Sequence, residues 1–131
     1  MRILHTAIKV YDLERSIKFY THVLGMQVLR KTDYPAYEFT LAFVGFQPEA
    51  EGAVIELQYR WNNHEKYIVG NGFGHIAIAV DDTVKFCEQL KKQGVEIKRA
   101  PEATKGGSSV IAFIEDPDGY RIELVQRLPK V

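Results

Sequence analysis

The 131 residues are 46% hydrophobic and 26% charged, the composition of an ordinary globular chain folding as one domain or two small ones. Seventeen Lys and Arg balance seventeen Asp and Glu, so no whole-molecule field draws the chain to nucleic acid or an anionic membrane. No apolar run suggests a membrane span or signal peptide, and the single cysteine, Cys87, excludes an internal disulfide and a Cys-x-x-Cys site. A reducing cytoplasm fits, with Cys87 as a small apolar residue on a helix face.

Alternation over Leu4 to Val10 predicts a strand with His5, Ala7 and Lys9 on one face and Thr6, Ile8 and Val10 on the other. Asp12 is placed to cap a helix over Leu13 to Leu24, in which Leu13, Ile17, Tyr20 and Leu24 recur at helical spacing before Gly25. Gln27 to Lys31, Glu38 to Gly45 and Ala53 to Tyr59 then predict three strands, separated by Asp33-Tyr34-Pro35 and by the turn-rich stretch from Gln47 to Gly52. A polar and aromatic segment, Trp61 to Asn71, follows as a link.

The second half predicts the same order. A strand over Gly74 to Val80 leads to a helix capped by Asp82, running through Phe86, Cys87 and Leu90 and ending at Gly94. Val95 to Arg99, Ser108 to Glu115 and Tyr120 to Arg127 read as strands, the last two joined by Asp116-Pro117-Asp118-Gly119, with Pro and Gly where a type I turn favours them. The order repeats because the sequence repeats. His5-Thr6-Ala7-Ile8 and Leu41-Ala42-Phe43-Val44 return 70 residues later as His75-Ile76-Ala77-Ile78 and Ile111-Ala112-Phe113-Ile114, and Ile55-Glu56-Leu57 returns 67 later as Ile122-Glu123-Leu124.

Period 2 then sorts the ionisable groups. If Ile55 and Leu57 face the helix of their module, Glu56 must face away, and the same holds for Glu123 between Ile122 and Leu124. Ile8 and Val10 send His5 outward, as Ile76, Ile78 and Val80 send His75. Ala7, Ala77 and Ala79 beside them leave volume. Two imidazoles and two carboxylates brought together would suit a divalent first-row metal, with room for substrate. His22 and His64 break the repeat and read as surface residues.

These segments resemble the glyoxalase I (lactoylglutathione lyase) family of the vicinal oxygen chelate superfamily. The likeness runs through His5-Thr6, Ser16-Ile17-Lys18-Phe19-Tyr20, Val23-Leu24-Gly25-Met26, Leu41-Ala42-Phe43, Val54-Ile55-Glu56-Leu57, Gly74-His75-Ile76-Ala77, Asp116-Pro117-Asp118-Gly119-Tyr120 and Ile122-Glu123-Leu124. It implies an α+β fold of two tandem βαβββ modules, about 1–62 and 72–131, in one glyoxalase-like domain whose sheets form a cleft. It also implies a homodimer, each site taking the first half of one chain and the second half of the other. His5, Glu56, His75 and Glu123 match the metal ligands, and the short layout resembles members activated by Ni²⁺ or Co²⁺ rather than Zn²⁺.

The implied reaction isomerises the hemithioacetal of methylglyoxal and glutathione to S-D-lactoylglutathione through an enediolate. Glu123 would be the base and Glu56 its counterpart. Lys9, Arg60 and Lys105 match substrate-binding positions. The family commonly carries Arg and Asn at the first two, so the acidic arm of glutathione would meet a different pair of groups here. Other readings are a related metalloenzyme (an epimerase, thiol transferase or dioxygenase) and a metal-free drug-binding protein. No nucleic-acid or membrane partner is expected.

Overall fold

The computed structural model describes residues 1–129 and divides into two compact units, Met1–Ile68 and a second beginning at Val69. In the first unit, β1 (His5–Lys9) is followed by α1 (Leu13–Lys18), β2 (Gln27–Tyr34), β3 (Phe39–Gly45) and β4 (Val54–Arg60). The sheet order is β1-β4-β3-β2, with β1 parallel to β4 and the other pairs antiparallel. The second unit contains β5 (Ile76–Ala79), α2 (Thr83–Lys92), β6 (Arg99–Ala103), β7 (Ser109–Glu115) and β8 (Arg121–Arg127), in the matching order β5-β8-β7-β6. Each unit is therefore a βαβββ module, and the α+β architecture read from the repeat is observed.

The helices start where their caps predict. The Arg15 backbone N–H donates to Asp12 Oδ1 at 3.1 Å, and Lys85 N–H donates to Asp82 Oδ1 at 3.0 Å. Such caps are worth about 1 kcal/mol each against alanine. One face of each sheet packs with its helix. Ile8, Val10, Tyr20, Leu24, Ala42, Val44, Ile55 and Leu57 are buried in the first unit, and Ile78, Cys87, Leu90, Ala112, Ile114, Ile122 and Leu124 in the second. Full burial of a Leu or Ile side chain contributes about 1.5–3 kcal/mol.

Several elements differ from the sequence reading. The helix expected to Leu24 is α-helical only to Lys18 and continues as a π-helical turn, Phe19–Val23, in which Leu24 N–H reaches back to the Phe19 carbonyl at 3.1 Å. The wider turn accompanies burial of two adjacent aromatics, Phe19 and Tyr20, whose rings stand perpendicular 5.3 Å apart. β2 runs on through Asp33 and Tyr34, where turn residues had suggested a break, because it pairs with β3 from Gln27↔Gly45 to Tyr34↔Phe39. Glu38, at φ 56°, then precedes the start of β3 rather than belonging to it.

The largest departure is β6. Val95 to Arg99 has the better strand composition, yet the strand occupies Arg99–Ala103, an Ala-Pro-Glu stretch with poor strand propensity. Hydrogen bonding to β7 decides this, and Pro101 is tolerated because β6 is an edge strand. The predicted turn before β8 is present. Asp116 Oδ1 accepts from the Asp118 and Tyr120 N–H groups at 2.9 Å, and Gly119 adopts φ +90°. That turn sets where β8 begins, and so the register of Glu123.

Candidate functional site

Strand register carries His5, Lys9, Glu56, Arg60 and Glu123 to the side of their sheets away from the helix-packed core, and His75 lies one residue ahead of β5. In the first unit Ala7 pairs with Glu56, Glu56 with Phe43, Lys9 with Gln58, and Arg60 with Phe39, so these side chains share one face. In the second, Ala77 pairs with Glu123 and Glu123 with Phe113. The alanines beside the two glutamates are the small residues that the alternation had placed there.

The structure brings each histidine to the glutamate of its own unit. His5 Nε2 lies 3.7 Å from Glu56 Oε1, and His75 Nε2 lies 3.7 Å from Glu123 Oε1. At that length neither contact is a hydrogen bond. The glutamates differ in their settings. Glu56 is buried and its Oε2 accepts from Gln58 Nε2 at 2.7 Å, whereas Glu123 is more open and its carboxylate has no hydrogen-bond partner among the described residues. Neither unit by itself gathers three or more His, Cys, Asp or Glu residues within ligating reach among the described residues. Each unit thus holds a two-donor half-site, built alike by the repeat.

Residues 2–124 match the family described as the Glyoxalase/Bleomycin resistance protein/Dioxygenase superfamily. The lactoylglutathione lyase of Salmonella typhimurium is 53% identical over 126 residues, which cover 96% of this chain and 93% of that protein. The chain belongs to the lactoylglutathione lyase family. The crystal structure of glyoxalase I from Zea mays is 50% identical with a TM-score of 0.90 over 98% of this chain, which spans only 46% of the maize chain. The trypanothione-dependent glyoxalase I of Leishmania major is 44% identical with a TM-score of 0.85, over 96% of this chain and 86% of that one.

The other positions singled out from the sequence fall around the half-sites of this glyoxalase I fold in different ways. Arg60 ends β4 beside a cavity of about 200 Å³ that Phe39, Leu41, Glu56 and Gln58 also line. Lys9 lies on the same face through its pairing with Gln58. Lys105 is exposed in the β6–β7 loop, where Gly106 and Gly107 at φ +90° and +66° make the turn. His22 and His64 are exposed, as the broken repeat suggested. A larger cavity, about 490 Å³, is lined by Asp33, Thr40, Tyr59 and Trp61 and holds none of the predicted site residues. By strand alternation Tyr59 points away from Glu56, so this cavity, which Asp12, Glu14 and His64 also line, lies on the other side of the sheet from the half-site.

Sequence reasoning missed four neighbours of the half-sites. Gln58 was legible, two residues from Glu56 and hence on the same face. Phe43 and Phe113 stood in the repeat itself but served there only as evidence of repetition. Arg30, whose guanidinium carbon lies 3.7 Å from the Phe43 ring centroid, had no sequence signal, because a register shift between Val28 and Arg30 accompanies its placement.

Proposed function

We propose that His5, Glu56, His75 and Glu123 together hold one divalent metal ion, at which this lactoylglutathione lyase isomerises the methylglyoxal–glutathione hemithioacetal to S-D-lactoylglutathione. The supporting observation is the half-site made twice, with a His nitrogen and a Glu oxygen 3.7 Å apart in both units. Two donors each about 2.1 Å from a common ion are about 3.0 Å apart at a right angle and about 3.4 Å apart at the tetrahedral angle. Small side-chain rotations bring each pair to that spacing. An N₂O₂ set without thiolate accepts Ni²⁺, Co²⁺ or Zn²⁺, and Ni²⁺ is our preferred assignment.

Each unit alone supplies two donors, too few for a tight site. As the family resemblance implies, we read the working form as a homodimer, with the first unit of one chain completing the second unit of its partner. Glutathione chemistry and a lone buried thiol both suit the cytoplasm.

When bound, the cation supplies Lewis-acid polarisation of the adjacent substrate oxygens. The chain's own groups move the proton. Glu123, the less restrained carboxylate, removes it from the carbon bearing sulfur and hydroxyl, and returns it to the neighbouring carbonyl carbon. With the hydroxyl proton passing to the former carbonyl oxygen, the hemithioacetal becomes a hydroxy thioester with no net redox change. Glu56, held by Gln58, is its fixed counterpart. Lys9, Arg60 and Lys105 bind the anionic arms of the thiol, with Lys105 on a turn that can close over substrate.

The test is to strip the protein of metal, add Ni²⁺, Co²⁺ or Zn²⁺ in turn, and follow thioester formation from methylglyoxal and glutathione. Restored turnover, greatest with Ni²⁺, is expected. Tight stoichiometric metal binding without turnover on any cation would reject the substrate and keep the site. Absence of metal binding would reject the site itself.

A further inference from the structure

A metal-binding imidazole is ordinarily aimed by a hydrogen bond from its other ring nitrogen, and losing that partner typically weakens metal binding ten- to a hundredfold. Among the described residues neither the His5 nor the His75 imidazole hydrogen-bonds to another group of the chain. Besides its glutamate, each ring instead meets one phenyl ring at a steep angle. Phe43 stands 5.4 Å from His5 at 81°, and Phe113 stands 5.5 Å from His75 at 75°. Both phenyl rings are buried, although alternation sets them on the opposite side of the sheet from the helix-packed Ala42, Val44, Ala112 and Ile114.

Each phenyl ring is in turn approached by arginine. The Arg30 guanidinium sits 3.7 Å from the Phe43 centroid and is forked onto the Glu49 carboxylate at 2.8 and 3.1 Å. Arg99 and Arg121 lie 5.9 and 5.5 Å from the Phe113 centroid, and Arg99 contacts Glu102 at 3.3 Å. Both sheets carry a register irregularity at this point, between Val28 and Arg30 and between Arg99 and Glu102. A ladder continued without it from Val28↔Val44 would set Leu29 against Phe43, and one continued from Glu102↔Ile111 would set Ala100 against Phe113. In the folded chain Arg30 and Arg99 take those places. β-Bulges re-aim side chains in this way next to functional sites.

We propose that Phe43 and Phe113 are positioning residues that hold the His5 and His75 imidazoles in their metal-binding orientation, with Arg30 locking the first phenyl ring and Arg99 and Arg121 the second. The aromatic contact limits rotation of each imidazole and is stiffened by cation–π attraction. It rests on His5 and His75 being ligands, as proposed above. The first unit has the closer arginine and the bidentate ion pair, so its clamp is the stronger one.

The test uses the full-length protein and Co²⁺ as the probe, reading the dissociation constant and the visible absorption spectrum for Phe43→Leu, Phe43→Tyr, Arg30→Ala and His5→Ala. Phe43→Leu is expected to weaken Co²⁺ binding about tenfold and to alter the spectrum. Phe43→Tyr, which keeps the ring, restores both, and Arg30→Ala falls between. Wild-type Co²⁺ affinity and spectrum in Phe43→Leu, with binding lost in His5→Ala, would overturn the positioning role alone. Wild-type affinity in His5→Ala would overturn the ligand assignment and this inference with it. Should Phe43→Leu fail to fold, Phe113→Leu and Arg30→Ala carry the same reading.

Discussion

The two glutamates should not be equivalent, and replacing each by glutamine measures the difference. Glu56 has a 9% exposed side chain and accepts a 2.7 Å hydrogen bond from Gln58, while the 19% exposed Glu123 side chain has only the 3.7 Å approach of His75 among its described polar contacts. A base that leaves its resting position breaks whatever holds it. For Glu56 that is a hydrogen bond to a charged group, costing about 1.5–3 kcal/mol, or roughly 10- to 150-fold in the population of the displaced carboxylate. Glu123 has no such restraint and is the better shuttle. A positioned general base contributes typically about 10²–10⁴-fold, equivalent to roughly 3–5 kcal/mol. With metal at saturation, Glu123→Gln should lose kcat by about that factor, and Glu56→Gln should act mainly through weaker metal binding. Steady-state kinetics on metal-titrated protein separates the two effects. A larger kcat loss in Glu56→Gln than in Glu123→Gln, at full metal loading, would refute the reasoning. Gln58→Leu supplies a further check, since freeing Glu56 should soften the kcat loss of Glu123→Gln.

Lys105→Ala should raise KM for the hemithioacetal far more than it lowers kcat; equal kcat losses in Lys105→Ala and Glu123→Gln would reject their separate roles. Leu57→Ala, at a fully buried position between the half-site and the helix, should cost about 2–5 kcal/mol in urea unfolding, and a smaller loss would mean that the unit repacks around the gap. Burial pushes the Cys87 thiol up, with Lys91 opposing, so the folded chain favours the protonated form. That stabilisation is complete below the ordinary thiol range and is lost as pH rises through the elevated folded value. The urea midpoint of wild type should therefore fall more steeply than that of Cys87→Ala above the ordinary thiol range, and parallel profiles would show that the thiol does not titrate on unfolding.

Local rules made much of this molecule readable from its residues. Asp12 and Asp82 cap helices because a carboxylate can reach an N–H three residues on, whatever else the chain does. Strand alternation put His5, Glu56 and Glu123 on the faces where the structure holds them, because side chains in a strand alternate by geometry alone, and His75, one residue ahead of β5, reaches Glu123 on that face. The internal repeat made the second pair follow from the first. Other features depend on partners distant in sequence. β6 lies at Arg99–Ala103 because β7 supplies its hydrogen bonds, overriding the stronger propensity of Val95 to Arg99. Arg30 and Arg99 meet Phe43 and Phe113 at register shifts, which no local pattern announces. The inequality of Glu56 and Glu123 is partly local, since Gln58 two residues on restrains one carboxylate, and partly set by the packing that buries Glu56 more deeply. Residue types and spacing determined which groups are available and which way they face; cross-strand register, a long-range hydrogen-bond pattern, decided which of them touch.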